Sequence, residues 1–103
     1  MSEFNKLVRD KIPEIILANG ATPHYHIIES DEEYLAALLK KDVEEGIELA
    51  EDPNLEELAD KLEVLYAIAN VRGYTPEQIE QARLAKLAER GGFDKRIFLE
   101  RVI

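Results

Sequence analysis

Leu55, Leu58, Leu62, Leu65, Tyr66 and Ala69 recur at three- and four-residue spacing, the period of one face of an α-helix. Val64, Ala67, Ile68 and Val71 form a second apolar stripe on the other side of the same turns. A helix over 55–72 with two apolar faces is predicted to lie between two layers of protein. Its neighbours read from their punctuation. Ser30 with Glu33 has the spacing of a capping box, and the helical pattern then runs from about Asp31 to Ala50. Pro53 disfavours helix at Asp52, and Asn54 is placed to cap the helix that follows. Thr75, Pro76 and Gln78 start a third long helix, which runs to about Arg90 and is stopped by Gly91 and Gly92. Before these, "IPEIILANG" reads as a short first helix with Pro13 in its first turn and Gly20 after its end. Residues 24–28 and the tail "FDKRIFLERVI" alternate weakly and are expected to pair as a short two-stranded element. The fold class expected is all-α: an antiparallel helical hairpin or bundle, completed by oligomerisation.

The polar positions raise a sharper question. Residues 43–60, "VEEGIELAEDPNLEELAD", hold eight acids in eighteen positions. Glu45 with Glu48, and Glu57 with Asp60, each share a helix face at a spacing of three. The "EDPN" break is short, so the two helices are expected to fold back antiparallel. Glu48 then lies opposite Glu57, and Glu45 opposite Asp60. Across helix axes ~8–10 Å apart, inward carboxylates meet around one or two cations. Without a cation, like charges a few ångströms apart push carboxylate pKa values upward. An all-oxygen ligand set favours Mg²⁺, or Mn²⁺, over zinc, and Mg²⁺ keeps waters for a phosphate substrate. A solvated acidic face has the same spacing, and on spacing alone both readings stand.

Composition narrows the setting. A chain of 103 residues points to one domain with a slim core, burying somewhat more than ~60% of its unfolded surface. A net charge of -9 disfavours a nucleic-acid polymer as partner. No apolar run reaches the ~18 residues of a membrane span. "MSEFNKLVRD" has no apolar leader core, and the chain has no cysteine for disulfides or thiolate ligands. The expected location is the cytoplasm.

"EEGIE" followed by "ELAD" resembles the E-E-x-x-E…E-x-x-D signature of the MazG-like, all-α nucleoside triphosphate pyrophosphohydrolases. "NKLVRDKIPEII", "DEEYLAALLKK", "LEELADKLEVLYAIA" and "ERGGFDKRIFLE" extend the likeness over nearly the whole chain. They resemble a small stand-alone branch similar to phosphoribosyl-ATP pyrophosphohydrolase. The resemblance implies a single MazG-like helical domain over 1–103, active as a homodimer or homotetramer. It implies Mg²⁺-dependent cleavage of a nucleotide between its α- and β-phosphates. Glu45, Glu48, Glu57 and Asp60 become the metal ligands, and Glu44 positions or activates water. The chain departs from the pattern at Gly46 inside the motif helix, at Asp42 on an apolar stripe, and at Lys61 directly after Asp60.

Basic residues cluster early, at Lys6, Arg9 and Lys11, and late, at Lys86, Arg90, Lys95 and Arg96. Arg9, Lys11 and Arg90 are the expected phosphate contacts, provided the termini reach the acidic hairpin. Glu63 reads either as a further ligand or as a solvated position, and His24 with His26 as a surface strand pair. Val64, Ile68 and Val71 are expected at or near an oligomer interface. Two other functions fit the same chain: hydrolysis of phosphoribosyl-ATP, and a non-catalytic acidic helical interaction module.

Overall fold

A computed structural model describes residues 5–103; the first four residues of "MSEFNKLVRD" lie outside the described part. Four helices follow one another: α1 (Ile12–Ala18), α2 (Asp31–Glu51), α3 (Leu55–Val71) and α4 (Pro76–Arg90). The all-α class is therefore established. Among the described residues there is no strand. Residues 24–28 and 97–103, where a two-stranded element was expected, carry no regular structure here.

Each boundary has a local cause. The Ser30 hydroxyl accepts from the Glu33 N–H at 3.0 Å, which starts α2. The Asn54 side chain accepts from the Glu57 N–H at 2.9 Å, so the cap that starts α3 also fixes the backbone of one of the clustered acids. Thr75 and Gln78 make both bonds of a capping box at the head of α4. Gly91, at φ 80°, takes the left-handed conformation that ends α4.

α2 and α3 form the hairpin, and α4 packs against α3 far less extensively. Lys61 on α3 crosses to α2, where its Nζ lies 2.7 Å from Asp42 Oδ1 and donates to the Asp42 carbonyl at 3.1 Å. That contact accounts for two sequence oddities. Asp42 sits where an apolar residue was expected because it holds the ammonium of Lys61. Lys61 follows Asp60 because that position turns its ammonium onto Asp42; a Cβ on Gly46 would lie 3.4 Å from the Nζ, an ordinary contact.

Very little is buried. Among the described residues the core is Leu38, Val64 and Ala69, with Glu45 buried beside them. The chain extends 59 × 31 × 25 Å, with a radius of gyration of 17.9 Å, where a compact chain of this length gives ~13 Å. Its accessible surface is 9581 Å², against roughly 5,900 Å² for a compact protein of 11.8 kDa. The two faces of α3 divide differently from the expectation. Val64 is closed inside the single chain and Ile68 and Val71 are half-buried, whereas Leu55, Leu58, Leu62, Leu65 and Tyr66 are exposed. Val64 lines the same groove as Leu38, so this stripe is already partly covered before any second subunit arrives. Among the described residues, no helix is long and apolar enough to cross a membrane.

Candidate metal centre

Glu45 comes from α2, and Glu57 and Asp60 come from the first two turns of α3. The 3.6-residue period turns Glu45 on α2, and Glu57 with Asp60 on α3, toward each other, and the short "DPN" break brings the two helices back together. Carboxylate oxygens of these three residues lie within 4.8 Å of one another. Glu45 is 6% exposed, an unusual place for a carboxylate. Its Oε1 has Lys41 Nζ at 3.5 Å, and the same ammonium lies 3.5 Å from Glu44 Oε2. Its Oε2 is buried and has no hydrogen-bond donor, and Glu57 Oε2 is in the same condition.

Such oxygens are costly, because burying a polar atom without a partner forfeits its hydration. The electrostatics follow. Burial holds the Glu45 carboxyl above the usual carboxylate range; Glu48 and Asp60 push the same way, and Lys41 opposes them. Burial also raises Glu57, reinforced by the charges of Glu48, Asp60 and Glu45. Glu48 itself is exposed, at the edge of the group, yet among charged neighbours it acts most strongly on both Glu45 and Glu57. Two orphaned anionic oxygens beside a third carboxylate form a set that can hold a metal ion. Donors that are all carboxylate oxygens suit a hard divalent cation.

The N-terminal segment closes one side. A groove of about 440 Å³ runs beside Glu45 and Asp60, with Arg9, Lys11 and Lys41 on its rim and Leu7, Tyr34, Leu38 and Val64 among its apolar lining. Arg9 donates from Nη2 to Asp60 Oδ1 at 2.7 Å. Glu63, left open by its spacing, also lines this groove.

Of the residues singled out by sequence, Glu45, Glu57 and Asp60 converge and Glu48 adjoins them. Arg9 and Lys11 reach the same place. Glu44 stands beside the group through Lys41 without joining the three acids. Arg90 is exposed at the far end of α4 and lines neither this groove nor a second one near Tyr74. Sequence reasoning missed Lys41, though its spacings of three and four from Glu44 and Glu45 were there to be read. It also missed Leu38, and it read Tyr34 as core or interface; the docked N-terminal segment turns both into a groove wall. No family model matches the chain, and no curated protein or solved structure is detectably similar to it.

Proposed function

We propose that the protein is a Mg²⁺-dependent nucleotide pyrophosphohydrolase of the MazG-like kind, converting a nucleoside triphosphate and water into the monophosphate and pyrophosphate. One observation carries the reading: Glu45 Oε2 and Glu57 Oε2 are buried, anionic and without donors, beside a third carboxylate from Asp60. A cation seated there would supply the partner that both oxygens lack. The resemblance of "EEGIE" and "ELAD" to the pyrophosphohydrolase signature supports the choice of reaction.

Glu45, Glu57 and Asp60, with Glu48 at the edge, hold the ion in this reading. When bound, a divalent ion supplies charge neutralisation at the phosphate oxygens and a lowered pKa for water. Arg9 and Lys11, on the groove rim, bind the outer phosphates. Glu44, fixed beside Glu45 through Lys41, orients the attacking water by accepting its proton. Tyr34, Leu38 and Val64 give the nucleoside an apolar wall. The test is chromatography of products over a panel of nucleotides that includes phosphoribosyl-ATP. Monophosphate and pyrophosphate support the reading. Diphosphate and orthophosphate sink the cleavage position, and no turnover on any member sinks the enzyme.

The assembly proposed with it is a homodimer or homotetramer. The surplus of roughly 3,700 Å² over a compact chain exceeds what one partner contributes to a standard interface, roughly 800 Å². The same surplus favours the rival reading, a helical interaction module, should turnover be absent.

A further inference from the structure

Arg9 and Asp60 are 51 residues apart, yet the guanidinium sits on the carboxylate at 2.7 Å. Asp60 is also one of the three acids whose oxygens cluster within 4.8 Å, next to the Glu45 side chain, which is 8% exposed and has one oxygen unpartnered. One carboxylate thus serves two cationic claims. Arg9 is delivered by the turn that opens α1, where the Ile12 N–H donates to the Arg9 carbonyl at 3.1 Å. Its side chain is 56% exposed and lines the groove, so it is free to swing without unpacking a core.

We propose that Asp60 parks Arg9 in the metal-free protein and hands it over on loading: a divalent cation takes Asp60, and Arg9 passes to the polyphosphate. This rests on the reading of the site as a metal centre for nucleotides. The exchange conserves charge pairing. Before loading, the guanidinium neutralises Asp60. After loading, the cation neutralises Asp60, and the guanidinium meets a phosphate oxygen in bidentate geometry, for which Arg is better shaped than Lys. A cation arriving alone displaces Arg9 into water with no compensation. A cation arriving with a triphosphate gives Arg9 a new partner at once. Metal and polyphosphate therefore bind with positive coupling, and Arg9 adds to the part that comes from direct contact of ion and phosphate.

The experiment is calorimetric titration of Mn²⁺ into the full chain, alone and with the α,β-methylene analogue of ATP, whose bridge cannot be hydrolysed. It is run on the unmutated protein, Arg9→Gln and Arg9→Lys, with circular dichroism to verify equal helicity. In the unmutated protein the analogue should tighten Mn²⁺ binding about tenfold or more, within the usual span of coupling between sites. Arg9→Gln should bind Mn²⁺ alone several-fold tighter, because the competitor is gone, and should show a several-fold smaller tightening by the analogue than the unmutated protein. Arg9→Lys keeps the charge and should restore weak binding of the ion alone. If Arg9→Gln binds Mn²⁺ no tighter than the unmutated protein while that protein binds it measurably, the exchange is wrong and the metal centre stands. If the unmutated protein binds no Mn²⁺ at millimolar concentration, the metal centre falls and the exchange falls with it.

Discussion

Val43 and Glu45 are two residues apart on α2, yet the valine is 61% exposed and the glutamate 6%. Two helical residues span about 200°, so they look out of opposite sides of the helix. The same contrast recurs on α3, where Asp60 is half-buried and Leu58 and Leu62 are exposed at 53% and 46%. One face of the hairpin thus buries Glu45 and half-buries Glu57 and Asp60, while its reverse presents Leu39, Val43, Ile47, Leu58 and Leu62 to solvent. The acidic face sets a buried carboxylate beside the apolar Leu38 and Val64, and the reverse face leaves apolar side chains uncovered. Patches of that kind mark association surfaces, and buried anions lacking donors mark a site awaiting a cation. The difference separates the two proposals: the reverse face is the surface offered for association, and the acidic face is the group that can hold an ion.

The comparison breaks most visibly at Glu45. Glu45→Gln removes a ligand charge and should cut turnover by more than about 100-fold, beyond the ~10–100-fold that outer-shell changes at metal sites cost. Steady-state rates at saturating Mg²⁺ measure it, and a variant within fivefold of the unmutated protein would remove Glu45 from the centre.

Next in size is the reverse face. Leu62→Asp puts a charge where a partner's apolar surface is expected, a cost that association cannot absorb without a counter-charge. Light scattering at micromolar concentration should show the assembly reduced to smaller species. The unmutated chain being monomeric, or Leu62→Asp assembling normally, would return that face to plain solvent exposure.

The third test separates the faces by pH. Glu45 and Glu57 have folded-state pKa values above their ordinary 4.5, so between that value and the raised ones the folded state binds more protons than the unfolded. Stability in chelator should therefore fall as pH rises through this window and be regained as pH drops toward 4.5, with no further gain from these groups below it. Excess Mg²⁺ should reverse the trend, since it binds the ionised folded form. Glu57→Gln should melt higher in chelator and lose most of its Mg²⁺ response. Glu57 is a cleaner probe than Asp60, whose contact with Arg9 would be lost together with the repulsion. Melting curves of Glu57→Gln that drop in chelator would make Glu57 a structural residue.

The smallest effect sits between the faces, at Gly46. Gly46→Ala should stabilise α2 by about 0.5–1 kcal/mol through helix propensity. The new methyl meets only the flexible end of Lys61, at 3.4 Å. Urea unfolding that shows destabilisation instead would mean that the Lys61–Asp42 contact tolerates no crowding.

What the sequence determined by itself was local. Ser30, Asn54 and Thr75 mark the three long helices to within a residue or two, because a cap bonds to an N–H only a few positions away. The spacing of three in "EEGIE" and "ELAD", with Pro53 between them, was enough to bring Glu45 onto Glu57 and Asp60, because helix period and a short turn together fix which faces meet. Only the tertiary structure decided the rest. It chose which apolar stripe of α3 is closed, since both have helical spacing and only docking against α2 and residues 7–11 distinguishes Val64 from Leu62. It placed Arg9 rather than Arg90 on the acids, a contact across 51 residues that no periodicity encodes. It also explained Asp42 through Lys61, a pairing between helices that leaves no trace in the local pattern of either.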